Sequence, residues 1–173
     1  MKKRIRLHIT KKNNLEQTIL DKIEGPIREL GYGVCDVELS SGGGVLRVFI
    51  ESSEGILNKV GIKECEEVHR VLGPMFDVWN FIDQAYTLEI SSPGEKPHLR
   101  TVKHFQDTVG EELIFQTLMS YPMPAPGKPR KKWKAKLTSV DAEQAVIQVE
   151  DDYGSHQVKI KDICTAKWNR DWK

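Results

Sequence analysis

Leu15, Ile19, Ile23, Ile27 and Leu30 recur at three- and four-residue intervals, the spacing of one helix face, directly after Asn13 and Asn14, either of which can cap it. Pro26 lacks an amide proton and predicts a kink or break near Gly25, and Gly31 closes the pattern as the residue after the helix. Val34 to Leu39 and Val45 to Glu51 read as two strands joined by the turn Ser40 to Gly44. Three consecutive glycines in that turn suggest a phosphate loop, but no Gly-Lys-Ser/Thr follows and the chain enters a strand, so the segment reads as a hairpin tip. Ile62, Cys65, Val68, Leu72 and Phe76 mark a second amphipathic helix that Gly73-Pro74 should bend or terminate. A short strand beginning at Tyr86 stops at Ser91-Ser92-Pro93-Gly94, where proline cannot extend a ladder and glycine can take positive φ. The two serine hydroxyls there can hold the turn or meet a ligand.

After residue 110 the period changes. Leu113 to Met119, Trp133 to Val140, Ala145 to Glu150 and Gln157 to Ile160 are short β runs separated by turn residues. Tyr121 to Pro129 carries four prolines and cannot be a central strand. These patterns predict an α+β protein. A basic flexible arm over 1–12 leads into an N-terminal α+β domain over 13–99, whose helices pack on one face of a small sheet. A connection over 100–110 then joins it to a small SH3-like or Sm-like β-barrel over 111–173.

Hydrophobic residues make up 39% of the 173 and charged residues 29%, the balance of an ordinary folded protein. No apolar run approaches membrane-spanning length, and the arm lacks the apolar core of an export signal. Three cysteines, Cys35, Cys65 and Cys164, are an odd number without a Cys-x-x-Cys, which suits reduced thiols and a cytoplasmic setting. The net charge is +1; residues 1–99 carry −2 and residues 100–173 carry +3, so any contact with nucleic acid must be local.

The candidate for such a contact is Lys128, Arg130, Lys131, Lys132, Lys134 and Lys136, a cluster with Trp133 at its centre and no acid. Strand alternation puts Lys132, Lys134 and Lys136 on one face and Trp133, Ala135 and Leu137 on the other, so the tryptophan reads as core and the lysines as an RNA-facing row. Arg47 projects from the hairpin face opposite Leu46 and Val48, either toward a ligand or into an ion pair with Asp36 or Glu38. No histidine stands at metal-ligand spacing from another ligand, and Ser91 and Ser92 lack a nucleophile elbow. No catalytic constellation, metal site or cofactor is expected.

Leu30-Gly31-Tyr32, Leu46-Arg47-Val48-Phe49-Ile50 and Leu88-Glu89-Ile90-Ser91-Ser92-Pro93-Gly94 occur in this order. With Phe105 and Val109-Gly110 downstream, they resemble the bacterial ribosome maturation factor RimP family over most of the chain, from about Leu15 to Lys167. The family continues Ser-Pro-Gly with Leu-Asp-Arg-Pro-Leu, whereas here Glu95-Lys96-Pro97-His98-Leu99 follows, so Lys96 reaches the arginine position only through a deletion. Ser91, Ser92, Pro93, Gly94 and Lys96 are thus the candidate family-motif residues. The resemblance implies a monomeric, non-catalytic protein that binds the free small (30S) ribosomal subunit near its decoding centre, with ribosomal RNA and ribosomal protein S-twelve as partners. Two rivals stand beside it: a stand-alone RNA-binding regulator using an Sm-like tail, and an enzyme needing a cofactor pocket the sequence does not show.

Overall fold

The structure is a computed structural model of the chain and describes residues 14–42, 44–56, 58–94, 97–123 and 128–169. The basic arm, Lys96 and the middle of the proline-rich loop lie outside these residues. The described chain falls into two compact units, 14–94 and 97–169.

The first unit runs α1 (Asn14–Glu29), β1 (Tyr32–Leu39), β2 (Val45–Ser52), α2 (Ile62–Trp79) and β3 (Thr87–Ser91). β1 and β2 form the antiparallel hairpin, and β3 lies parallel to β2 in the order β1-β2-β3. A parallel neighbour cannot be reached by a tight turn, and α2 is the crossover that makes the return. Leu46, Val48 and Ile50 alternate along β2 and are fully buried with Ile19, Ile23 and Ile27 of α1 and Val68 and Leu72 of α2 in one cluster. The apolar stripes read from sequence are the ones that meet.

Neither internal proline ends its helix. Helix α1 continues through Pro26 to Glu29, and α2 continues through Pro74 to Trp79. A proline removes one hydrogen bond at a cost of a few kcal/mol, and tertiary packing opposes that cost here. Ile27 beyond the first proline is fully buried, and Phe76 beyond the second contacts Trp79, Phe81 and Tyr86 edge-on. Helix α2 stops instead at Asn80, which takes a left-handed φ of 47° and donates its N–H to the Phe76 carbonyl. In β1 the pairing register shifts between Val34 and Asp36, a bulge at Cys35, and Cys35, Asp36 and Val37 are consecutively buried.

The second unit holds α3 (Val102–Asp107), β4 (Glu112–Tyr121), β5 (Arg130–Asp141), β6 (Val146–Asp151), β7 (Gly154–Lys159), a 3-10 turn (Ile160–Asp162) and β8 (Ile163–Trp168). All pairings are antiparallel, in the order β7-β6-β5-β4-β8. Among the described residues no pairing joins β7 to β8, so the expected closed barrel is an open order of five strands. Each strand contributes buried residues, from Phe115 and Trp133 through Val149 and Val158 to Ala166.

β8 was not anticipated. Its burial does not alternate cleanly, because Ile163, Ala166 and Trp168 are the buried positions. Residues 98–110 are packed into this unit rather than serving as a bare connection. The Leu99 N–H donates to the Ala166 carbonyl and Phe105 is fully buried. Thr101 caps α3 by accepting from the His104 N–H. No helix among the described residues is long and apolar enough to cross a membrane.

Candidate nucleic-acid interface

β5 carries the lysines, and its burial alternates as its sequence does. Trp133, Ala135 and Leu137 are buried while Lys132, Lys134 and Lys136 are exposed, with Lys131 and Lys128 exposed beside them. In register, Lys132 lies opposite Gln116, Lys134 opposite Ile114 and Lys136 opposite Glu112 on β4. β8 continues the row, with Lys167 opposite Ile114. The outer face therefore runs lysine, isoleucine, lysine across three strands.

The lysines are not equivalent. The Lys134 ammonium lies 3.3 Å from a Glu112 carboxylate oxygen. Lys136 is flanked in register by Glu112 and by Glu150 on β6. Lys128, Lys131 and Lys132 make no ion pair among the described residues, and they are the cations most available to a phosphate.

Arg130 does not join them. Its guanidinium lies 4.1 Å from the Trp133 ring centre and pairs with the Asp151 carboxylate, which is almost fully buried. The other Asp151 oxygen is 3.1 Å from His156 Nε2 and also accepts from the Tyr153 N–H. Burial, with Arg130 adding to it, holds the His156 imidazole below its ordinary value, so it sits neutral beside the ion pair. Burial also lowers the pKa of Arg130 itself, against an opposing effect from Tyr153. Trp133 is stacked on Phe115 at 5.3 Å and is met edge-on by Tyr121 and His156. At 2% exposure it has no face to offer a base. Tyr153, 54% exposed on the β6–β7 turn, is the accessible aromatic near the cluster, 5.5 Å from the Arg130 guanidinium. A lone tyrosine in a turn between Asp152 and Gly154 gave no periodic signal to find it by.

In the first unit Arg47 is also engaged, though with neither expected partner. Both its Nε and a terminal nitrogen lie 2.8 Å from one Glu89 oxygen, because β3 sits parallel to β2 with Arg47 opposite Glu89. Glu38 is opposite Arg47 on the other side, giving a Glu–Arg–Glu row across the sheet, while the bulge leaves Asp36 opposite Phe49 and buried.

The motif Ser91 to Gly94 ends β3, and Gly94 has a φ of +76°. The Ser91 hydroxyl donates to the Ser92 carbonyl at 3.2 Å. Both serines border an open cleft of about 410 Å³ against the start of α2. The lysine row and the serine motif thus sit on different units. In the cleft, burial and then Glu64 raise the pKa of the Cys65 thiol, which keeps it protonated and a poor nucleophile.

The chain has a mixed architecture, a helix-backed three-stranded unit followed by a lysine-bearing five-stranded one. The family model for the RimP N-terminal domain matches residues 22–96, from within α1 through the Ser91–Gly94 motif. The match, over 75 of the 173 residues, supports membership of the RimP family.

Proposed function

We propose that this protein binds the free small ribosomal subunit and assists its maturation without a chemical step, acting in the cytoplasm as a monomer. The observation that carries the reading is the RimP N-terminal match over residues 22–96. The exposed lysines just ahead of and at the start of β5, Lys128, Lys131 and Lys132, support a contact with ribosomal RNA, with ribosomal protein S-twelve as the protein partner implied by the family. The strand order of the second unit, with a 3-10 turn just ahead of β8, supports reading it as an SH3-like module.

Such a factor acts by differential affinity. It raises the population of the subunit arrangement it prefers, by no more than the difference in its binding free energy for the two arrangements, and it leaves when the preferred arrangement disappears. The lysine row on a β-rich unit also favours a second reading, a stand-alone Sm-like RNA-binding regulator. Sedimentation of the full chain with purified immature small subunits, mature small subunits and large subunits separates the two. Maturation predicts co-sedimentation with small subunits, strongest for the immature ones, and none with large subunits. Equal binding to large subunits or to unstructured single-stranded RNA would instead support the regulator.

A further inference from the structure

The surface of the first unit is not that of an RNA-binding module. Residues 14–94 contain 6 Lys and Arg against 14 Asp and Glu, a net charge of −8. Counterion release gives such a surface nothing to gain from a phosphate backbone. The start of α2, where an anion would otherwise be welcome, is already served by protein. The Gly61 N–H donates to a Glu64 carboxylate oxygen at 2.8 Å, placing a negative charge at the helix end.

The two edges of the unit's sheet differ. At β1 the Leu39 N–H is taken by the Glu16 carboxylate of α1 at 2.8 Å. At β3 no strand pairs with the outer edge among the described residues. Register partners show the difference: Leu46 and Val48 of β2 are fully buried, while Leu88 and Ile90 opposite them on β3 are only half-buried. Protein edges are usually blunted by lysine, proline or a covering element. β3 has no lysine or proline within it, and Pro93 comes only after its end. The 410 Å³ cleft meets the end of β3 at Ile90 and Ser91 and is lined on the α2 side by Ile62, Glu66 and His69. Ile62 is 79% exposed, unusual for an isoleucine at the start of a well-packed helix.

We infer that the β3 edge and this cleft take an extended, lysine- or arginine-rich segment of a partner protein. The segment adds as a short fourth strand, its apolar side chains meeting Ile62 and Ile90 and a basic one meeting Glu66. Main-chain hydrogen bonds supply affinity, the apolar cleft sets the register, and the −8 charge speeds encounter and selects against acidic partners. Pro93 limits the added strand to the length of β3. The inference rests on the maturation reading only for where such a partner would be found.

The probe is a short peptide of alternating lysine and valine, and the control is an equally charged peptide with prolines in place of the valines, which cannot complete a ladder. Binding to the full chain is followed by fluorescence anisotropy, and amide hydrogen exchange is followed over Thr87 to Ser92. The valine peptide is expected to bind and to slow exchange in that stretch, and the proline peptide is expected to do neither. Glu66→Lys, an exposed change that leaves the core intact, should weaken the valine peptide about tenfold. Equal binding of both peptides, no protection at β3, or tighter binding there of a polyuridine oligonucleotide would overturn the inference. The maturation reading fails separately. Peptide protection of β3 without small-subunit co-sedimentation removes the maturation reading and supports the cleft. Co-sedimentation without peptide protection removes the cleft alone.

Discussion

The two units use charge in opposite ways. Residues 14–94 set two helices against one sheet face and carry −8, whereas residues 97–169 present the outer face of a five-stranded sheet with 11 Lys and Arg against 9 Asp and Glu, a net of +2. Within each, some cations are consumed internally. Arg47 is held by Glu89, and Arg130 is held by Asp151 over Trp133. The comparison teaches that net charge informs about partners only after it is divided along structural units and after the paired cations are set aside. A cut at residue 99 gives −2 for the first part because the six basic residues of the arm, all within 1–12, offset most of the acidity of the unit that follows.

The largest test of this division is Trp133→Ala. It removes a buried ring stacked on Phe115, together with the platform under Arg130, and should destabilise the second unit by about 3–5 kcal/mol. Hydrogen exchange should show the loss confined to amides of β4 to β8. Equal loss of protection around Leu46 and Val48 would mean that the two units unfold as one.

Gly94→Val is the corresponding probe of the first unit. Nothing lies within 4 Å of a Cβ built there, so the effect is backbone strain at φ +76° alone, about 1–2 kcal/mol by urea unfolding. An unchanged midpoint would mean the Ser-Pro-Gly turn relaxes freely.

A smaller effect separates the units by pH. His98 and His156 both lie in the second unit, and both are held below the ordinary imidazole value of 6.5, by burial first and then by Lys167 and Arg130 respectively. The unfolded chain therefore binds more protons than the folded one just below pH 6.5. Stability of the second unit should fall as pH drops through that value, by at most about 1.4 kcal/mol per pH unit for each histidine. His156→Gln should reduce this slope, as read from unfolding midpoints across pH. An unaltered slope would remove His156 from the account. The smallest effect belongs to Arg47→Ala. Its pair with Glu89 is 43% exposed on both sides, and its loss should cost under about 1 kcal/mol.

Much of this architecture is legible in the residues because the strongest signals are periodic. Ile19, Ile23 and Ile27 mark their helix face, and the lysine–apolar alternation of β5 by itself places Trp133 inside and Lys132 outside. What is not legible depends on partners far away in the chain. Pro26 and Pro74 read as breaks, yet the packing of Ile27 and Phe76 carries both helices past them. Arg47 has two acids on its hairpin partner, but its ion pair is with Glu89, 42 residues away, because a parallel strand brings it alongside. β8 and the buried segment around Leu99 pair with each other across a long stretch of sequence, and neither has a strict period of its own. Arg130 stands in a basic run and reads as one of it. Only the buried carboxylate of Asp151, brought near by β6, removes it from the surface set.

On the proposed reading, the protein engages the small subunit with its phosphate contacts around the start of β5 and not on the acidic unit. The direct measurement is the salt dependence of small-subunit binding for the native chain and for a variant with Lys128, Lys131 and Lys132 changed to alanine. The account predicts weaker binding and a log–log salt slope shallower by about 2 units, since each lost phosphate contact removes about 0.7–0.9. A variant that binds with native affinity and an unchanged slope would contradict it.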